Sequence, residues 1–316
     1  MSTGQSCQST DVALVAILMG TKNGAAFLPD QLRSIADQTH ENWFVIASDD
    51  GSADATRTVL ARFASSQRQK CVVRDGPRLG AGANFMSLAT DPTIQADYFA
   101  FSDQDDIWHR DKLRRALVWL ASVPNDVPAL YGGRTELITV DGKPCGMSPL
   151  FVRQPTFRNA LVQSLAGGNT MVFNRAAKTL LQTAAVSDVS VHDWWLYQLI
   201  SAAGGAIYYD PQPMLQYRQH PDNLFGSNLG WRARLGRIRM MLDGGFRAWN
   251  EVNVSALQGI PAHLIAPENR VVLRLFVEAR NSSFIRRLML LRRCGVYRQT
   301  LGGNAGVYLA TLMNLI

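Results

Sequence analysis

The sequence predicts an α/β fold in which helices cover both faces of a doubly wound, mostly parallel sheet. Short apolar runs alternate with stretches of helical periodicity through the first 128 residues, which is the order that such a sheet requires. Of the 316 residues, 47% are hydrophobic and 18% are charged, so the chain has enough apolar material for a sizeable core. Polar clusters follow several of the apolar runs, at the strand ends where open sheets bind ligands.

Four strands are predicted in this first half, at residues 12–19, 43–48, 71–74 and 98–102. The apolar spacing predicts helices that begin near Leu28, after Ser52 and at Asn84, and a fourth across residues 113–120. Pro29 suits the first turn of the first helix, and the glycines of residues 79–82 indicate a turn before the third.

The alternation loosens after residue 128. The dipeptide Asp141-Gly142 indicates a hairpin turn. The remaining pattern predicts helices at residues 157–165 and 193–202, extended segments at 170–173, 207–209 and 215–218, and arginine-rich helices at 232–242, 270–280 and 283–293. We therefore predict one domain at residues 1–226, with halves at about 11–128 and 129–226, followed by a helical C-terminal region at 227–316.

The net charge of +7 is concentrated in this C-terminal region. Residues 1–226 carry 19 Lys and Arg against 21 Asp and Glu, whereas residues 227–316 carry 13 Arg against four acidic residues. The near-neutral body argues against nucleic acid as a partner. The arginines of the region alternate with apolar residues, a pattern that fits either an anionic membrane surface or packing against the body with a solvated arginine face.

Cysteine usage and hydropathy exclude other classes of protein. The four cysteines lie far apart and only five histidines occur, so we do not expect a Cys/His zinc site. The sparse use of cysteine is typical of proteins in a reducing cytoplasm. The first apolar run has eight residues and no basic flank, too short for a signal peptide. No run approaches the ~20 residues that cross a bilayer. We therefore expect a cytoplasmic protein, with peripheral contact to the inner face of the cytoplasmic membrane left open.

Carboxylates concentrate after the second and fourth predicted strands, in residues 49–52 and 103–106, while Thr21 and Asn23 follow the first. At adjacent strand ends these carboxylates would repel one another unless a cation balanced them, and a divalent metal carrying a diphosphate would do so. Each cluster alone has a structural explanation, either a turn in which Ser52 caps the next helix or charges that favour a helix dipole. Their occurrence together favours a binding site.

Residues 21–52 and 101–108 resemble the inverting family 2 glycosyltransferases, which have the GT-A fold. Three later segments, at residues 167–170, 192–195 and 217–220, look like the bacterial rhamnosyltransferase-like branch of that family. Each motif is modest, but five in family order are highly specific. The resemblance implies that residues 1–226 are a GT-A catalytic domain with a nucleotide-binding half and an acceptor-side half. It does not cover the last 90 residues.

The resemblance also implies which residues hold the donor. Thr21, Asn23 and Asp50 would contact the base and ribose, because a carboxylate accepts hydrogen bonds from both. Asp49 and Asn84 belong to neighbouring donor-binding segments.

Asp103 and Asp105 fall on the family's Asp-x-Asp motif, with Asp105 the more direct ligand of Mg²⁺ or Mn²⁺. The metal would neutralise charge on the departing nucleoside diphosphate. Asp106 would orient the donor sugar. His220 is either a further metal ligand or a structural residue, and Arg218 beside it is a candidate phosphate contact.

Asp193 is the candidate catalytic base, because members of the family place an acidic residue at the start of the matching helix. Inverting transfer needs a carboxylate that takes the proton of the acceptor hydroxyl as its oxygen attacks the anomeric carbon. An Asp in a first helical turn has a structural explanation as well. Trp194 and Trp195 would either stack on a sugar or lie in the core, and we expect at least one of them in the core.

The resemblance thus implies transfer of a sugar from a nucleotide donor, with dTDP-L-rhamnose favoured, to a glycan or lipid-linked acceptor in bacterial surface polysaccharide synthesis. Two alternatives stay open, a UDP-sugar donor on the same fold and a catalytically inactive member that binds nucleotide or glycan. The presence of Asp103, Asp105 and Asp193 counts against the inactive member.

Overall fold

The computed structural model describes residues 12–186, 189–220 and 245–313. The described strands are β1 (Val15–Thr21), β2 (Trp43–Asp49), β3 (Cys71–Asp75), β4 (Tyr98–Ser102), β5 (Ile107–Trp108), β6 (Ala129–Gly133), β7 (Glu136–Ile138), β8 (Pro144–Met147), β9 (Val172–Asn174), β10 (Ala206–Asp210) and β11 (Leu215–Arg218). The described helices are α1 (Leu28–Ala36), α2 (Thr56–Ser66), α3 (Ala81–Ala89), α4 (Lys112–Leu120), α5 (Phe157–Ala160), α6 (Arg175–Ala184), α7 (His192–Ala202), α8 (Gly245–Gly259), α9 (Pro267–Arg280), α10 (Phe284–Cys294) and α11 (Leu301–Leu312).

Seven of the described strands form the central sheet, in the order β10-β6-β9-β4-β1-β2-β3. Neighbouring strands are parallel except for β9, which runs antiparallel to both β4 and β6. Strand β1 pairs with β2 over its whole length and with β4 on its other side. The predicted mostly parallel sheet is therefore confirmed, and the carboxyl ends of β4, β1 and β2 lie side by side.

Burial on both faces explains why β1 is continuously apolar. Residues 15–19 are fully buried, and alternate side chains enter opposite layers of the core. Leu18 packs in the layer that contains Phe85 and Phe101. Ile17 packs in the other layer, with Leu32 of α1 and Leu60 of α2. Helices therefore cover both faces of β1, so side chains on either side of the strand are buried.

A smaller sheet of described strands, in the order β5-β11-β7-β8, brings two distant segments together. Strand β11 pairs antiparallel with β5 and parallel with β7, and the predicted hairpin of β7 and β8 turns at Gly142, whose φ is 76°. Because β5 follows residues 103–106 and β11 precedes His220, this pairing places that histidine beside the acidic segment.

The C-terminal helices α8 to α11 pack into the main core. Leu257, Phe276 and Leu290 belong to the same apolar cluster as Leu18 and Phe101. The predicted helix at residues 232–242 and the predicted domain boundary at residue 226 lie outside the described residues, so the division into domains stays a prediction. No helix in the described part of the chain has both the length and the apolar character needed to cross a bilayer.

Several predicted boundaries are wrong. Strand β1 begins at Val15 rather than residue 12, helix α3 begins at Ala81 rather than Asn84, and residues 157–165 contain one turn of helix, α5. Strand β6, which was not predicted, contains Gly132 and Gly133, and glycine has a low strand propensity, so tertiary burial decides its conformation. Helix α6 was also not predicted, although Asn174 caps its first turn.

Candidate functional site

Asp49 stabilises the turn that follows β2. Its carboxylate accepts hydrogen bonds from Thr21 Oγ1 at 3.0 Å, Ser52 Oγ at 2.5 Å and Ser52 N at 3.1 Å. Burial opposes ionisation, but these hydrogen bonds outweigh it, so the pKa of Asp49 is lowered. Ser52 therefore supports Asp49, and the expectation that it caps the next helix is wrong, because α2 has Ala55 at its N-cap.

Asp50 and Asn84 join β2 to the loop that follows β3. The two carboxylate oxygens of Asp50 accept from Arg78 N at 2.6 Å and Gly80 N at 3.0 Å. Asn84 Nδ2 donates to the backbone oxygen of Ser48 at 2.8 Å, while the buried Asn84 Oδ1 has no hydrogen-bond partner among the described residues. Asp50 and Asn84, which were predicted to bind the nucleotide donor, thus lie at the carboxyl end of β2. Their side chains also hydrogen-bond to the backbone there.

Asn23 joins the loop after β1 to the loop after β2. Asn23 has a φ of 49°, its N donates to Ser52 Oγ at 2.9 Å, and its Oδ1 accepts from Ala53 N at 2.8 Å. Lys22 Nζ donates to the backbone oxygens of Asp50 and Gly51. A Cβ at Gly51 would have Arg78 Nε and Lys22 Nζ among its nearest neighbours. Two cations therefore flank the turn after β2.

Asp103, Asp105 and Asp106 lie close enough together to share one cation. A carboxylate oxygen from each lies within 4.8 Å of the others. Asp106 is fully buried; its Oδ2 accepts from Asn169 Nδ2 at 2.6 Å, and its Oδ1 has no partner in the described part of the chain. Three carboxylates and an unsatisfied buried oxygen fit a hard divalent ion such as Mg²⁺ or Mn²⁺.

The electrostatics of this acidic cluster support the same fit. Burial and the negative charge of Asp105 raise the pKa of both Asp103 and Asp106 well above the usual range of a carboxyl group. A bound cation would reverse that effect, because it favours the ionised form of each carboxylate.

Arg218, at the end of β11, and His220, two residues later, both contact the acidic segment. His220 Nε2 lies 2.8 Å from Asp105 Oδ2, and its ring stacks on Phe27. The Arg218 guanidinium is buried and donates to the backbone oxygens of Asp105 at 3.1 Å and Val140 at 2.7 Å, and it also contacts Asp30. These contacts position the acidic segment, and the phosphate contact of Arg218 stays a prediction.

Gln104 was not predicted to have a role. Its side-chain amide donates to the Lys22 backbone oxygen at 2.9 Å and accepts from Lys22 N at 2.8 Å. Gly24 leaves the room for this side chain, since a Cβ at that position would overlap the amide of Gln104. Gln104 therefore fixes the acidic segment against the loop after β1, and a glutamine between two aspartates is no signal of this on its own.

Lys112, in the first turn of α4, was also missed. It is fully buried, its Nζ lies 3.4 Å from the centroid of the Trp108 ring, and it has no hydrogen-bond partner among the residues described. Burial lowers the pKa of Lys112 to about 7, although Asp106 and Asp103 oppose that shift. A buried amine thus lies within electrostatic reach of the acidic cluster. Its place six residues after Asp106 is the only hint in the sequence.

Asp193 lies in the first turn of α7, as predicted. Its Oδ2 accepts a hydrogen bond from Gly168 N at 2.9 Å. Burial raises the pKa of Asp193 to about 6, and its negative charge contributes to the raised pKa of Asp103. The base predicted from the sequence and the acidic cluster therefore lie within electrostatic reach of each other.

The residues around Asp193 form a rigid apolar support. His192 stacks on Phe85, with ring centroids 4.3 Å apart, and burial lowers the pKa of His192 to about 3. A Cβ on Gly168 would lie 2.5 Å from His192 Nε2, so the glycine permits this close approach. Trp194 and Trp195 are both buried, which places them in the core as expected for at least one.

Comparison with known proteins finds a matching family model and several similar proteins. Residues 16–180 match the family model described as glycosyl transferase family 2. The chain is 29% identical to the dTDP-rhamnosyl transferase RfbG of Shigella flexneri, over 72% of this chain and 81% of that protein. It is 28% identical to the UDP-Glc:alpha-D-GlcNAc-diphosphoundecaprenol beta-1,3-glucosyltransferase WfgD of Escherichia coli, over 59% of this chain and 69% of that protein.

Two solved structures share the fold at low identity. The mannosyltransferase PcManGT from Pyrobaculum calidifontis, in complex with GDP-Man and Mn²⁺, has a TM-score of 0.52 and 17% identity, with 96% of this chain and 86% of that chain covered. TarS 1-349 of S. aureus, in complex with UDP, has a TM-score of 0.54 and 12% identity, with 95% and 90% covered.

Proposed function

The chain belongs to glycosyl transferase family 2 and has the GT-A fold, and from that premise we propose a metal-dependent, inverting transfer of a sugar from a nucleotide donor. The observation that carries this proposal is the acidic cluster of Asp103, Asp105 and Asp106, which lies at the carboxyl end of β4 within electrostatic reach of Asp193. Fold alone does not determine chemistry, so the proposal depends on these side chains.

The nucleotide would bind over the ends of β1 and β2. Asn23 and Asp50 lie there, and Lys22 and Arg78 supply positive charge beside Gly51. Thr21 and Asp49 are buried beneath them, and Asn84 supports the same edge. These residues suit a nucleoside diphosphate, because the cations offset its charge and the amide and carboxylate bind its ribose or base.

Asp105 and Asp103 would hold Mg²⁺ or Mn²⁺, with Asp106 in the same cluster and His220 as a nitrogen donor beside Asp105. The ion would neutralise the charge that develops on the leaving nucleoside diphosphate. Asn169 fixes one oxygen of Asp106, which favours a role for Asp106 in orienting the donor sugar.

Asp193 would act as the base that takes the proton from the acceptor hydroxyl. The Gly168 N–H holds one oxygen of its carboxylate in place, and a pKa of about 6 leaves Asp193 mostly ionised at neutral pH. A base with a pKa near the working pH is efficient in proton transfer.

We favour dTDP-L-rhamnose as the donor and a glycan or lipid-linked acceptor of bacterial surface polysaccharide synthesis. The resemblance to the rhamnosyltransferase-like branch and the similarity to a dTDP-rhamnosyl transferase support this choice. The similarity to a protein whose name specifies UDP-Glc supports the second candidate, a UDP-sugar donor. Hydrolysis of each nucleotide sugar with Mg²⁺ or Mn²⁺ separates the two, because the rhamnosyl proposal fails if only UDP-sugars react.

Protection from thermal unfolding tests the nucleotide and metal site. We expect dTDP or UDP with Mn²⁺ to raise the Tm of the wild-type protein and to have little effect on the Tm of Asp105→Ala. Removal of a metal-binding carboxylate lowers the affinity for Mn²⁺ and, with it, the affinity for the nucleotide. Asp126→Ala is the matched control, since Asp126 is exposed and lies outside the site. Equal protection of Asp105→Ala and the control would contradict the metal assignment.

A further inference from the structure

Helix α11 exposes an apolar face. Leu301 is 90% exposed and Leu309 is 50% exposed, and Tyr308 and Met313 are exposed beside them. The opposite side of the helix packs into the core through Val307 and Ala310. Residues 301–312 contain no charged side chain. A surface helix in contact with water normally has polar residues on the side away from the core, so this face is unusual.

Helix α10 has the same organisation. Its buried side carries Leu290, Leu291 and Cys294. Ile285 and Met289, one helical turn apart, are 70% and 56% exposed on the other side, and Phe284 is exposed at the start of the helix. A solvated arginine face opposite the packed side is one of the two explanations of the arginine-rich pattern. The structure places large apolar side chains on that face as well, beside exposed arginines.

Positive charge accompanies these apolar side chains. Glu278 is the last acidic residue of the chain, and six arginines follow it. Arg292 and Arg293 are exposed at the end of α10 and form no ion pair with any residue that the structure describes, whereas Arg286 pairs with Glu278. We call the exposed side chains of α10 and α11, with Arg292 and Arg293, the C-terminal face.

We propose that the C-terminal face binds the surface of an anionic lipid bilayer, with α10 and α11 lying against the interface. Apolar side chains would enter the acyl boundary while the arginines contact anionic headgroups. Charge complementarity favours this partner over a second copy of the chain, because two copies of a face without acidic residues would repel each other. Membrane binding is independent of the donor sugar and of catalysis, so it goes beyond the proposed function.

Flotation of the full-length protein with vesicles tests this inference. We expect binding to vesicles of phosphatidylcholine with about one-third phosphatidylglycerol, weak binding to phosphatidylcholine alone, and loss of binding at high salt. The double variant Arg292→Gln with Arg293→Gln should bind anionic vesicles at least about tenfold more weakly, because each arginine near an anionic surface contributes to the binding free energy. Ile285→Ser with Met289→Ser should weaken it on both kinds of vesicle.

The matched control is Arg114→Gln with Val118→Ser, an exposed arginine and an exposed valine one turn apart on α4. This variant should bind vesicles as the wild type does. Hydrogen exchange of the wild-type protein provides a test without substitutions, since anionic vesicles should slow exchange at residues 284–294 and 301–313.

Three results would overturn the inference. One is no binding of the wild type to anionic vesicles, and another is equal loss of binding in the α4 control. The third is a wild-type dimer that Ile285→Ser with Met289→Ser converts to a monomer without any change in vesicle binding, which would assign the face to a second copy of the chain.

Discussion

At the scale of single residues, the balance between burial and hydrogen bonds distinguishes the carboxylates of the site. Asp49 has its oxygens occupied by Thr21 and Ser52, and its pKa is lowered, so it is a permanent anion that supports a turn. Asp106 accepts from Asn169 at 2.6 Å and Asp193 accepts from Gly168 N at 2.9 Å, but desolvation by burial outweighs these hydrogen bonds and raises the pKa of both carboxyl groups. The same functional group therefore serves structure in the first case and is available for ligand or proton in the others.

The raised pKa of Asp193 predicts the pH dependence of transfer. A base acts in its ionised form, so kcat/KM should be constant above about pH 6 and fall as pH decreases through that value, approaching tenfold per pH unit. Asp193→Asn should lower kcat by roughly 10²–10⁴-fold and abolish this acid limb, because the amide takes no proton. The measurement is a pH profile of kcat/KM for both proteins. An unchanged acid limb in Asp193→Asn would assign the titration to another group.

At the scale of secondary-structure elements, Gln104 links two loops that the sheet alone does not fix. Gln104→Ala removes both hydrogen bonds to Lys22, and because these groups are exposed we expect a loss of only about 1 kcal/mol in unfolding free energy. The apparent affinity for Mn²⁺ and nucleotide should fall much more, since the acidic segment loses its support. Gln69→Ala, which removes an exposed side-chain bond to Glu41 far from the site, is the control. Equal effects on nucleotide affinity in both variants would contradict the positioning role.

The sequence predicted strands β1 to β4 well, because strands that are buried on both faces are continuous apolar runs. Strand β4 was predicted with its observed bounds, and β2 was predicted to within one residue. The spacing of Asp103, Asp105 and Asp106 also predicted the acidic cluster. The contacts of Gln104, Lys112 and Arg218 could not be predicted, because each depends on where a side chain from one element meets the backbone or charge of another.

At the scale of the whole molecule, the C-terminal helices are part of the core and also make buried polar contacts with the body. Asn250 Nδ2 donates to the backbone oxygen of Leu161 at 2.7 Å, and Asn253 Oδ1 accepts from Ser190. Leu257 and Phe276 are buried in the same cluster as the sheet residues. The boundary at residue 226 rests on sequence resemblance and charge and stays a prediction, while α8 and α9 share one apolar cluster with residues of the sheet.

Removal of residues 245–316 should destabilise the body. Each large apolar side chain withdrawn from the core costs about 1.5–3 kcal/mol, and several are lost together. We expect the truncated protein to aggregate, or to unfold without a cooperative transition in circular dichroism. A soluble fragment ending at residue 244 that unfolds cooperatively with the Tm of the full chain would show that the helices form an independent unit.

The reversed direction of β9 links two parts of the candidate site. Because β9 is antiparallel to β4, its amino end lies at the edge where the parallel strands finish, and that end is preceded by Gly168 and Asn169. Gly168 N donates to Asp193 and Asn169 Nδ2 donates to Asp106. A slip of two residues in the pairing of β9 would move both contacts by roughly 7 Å, so Asp193 and the acidic cluster would lose these hydrogen bonds together. The register of this one short strand therefore sets the positions of Asp193 and of the acidic cluster at the same time.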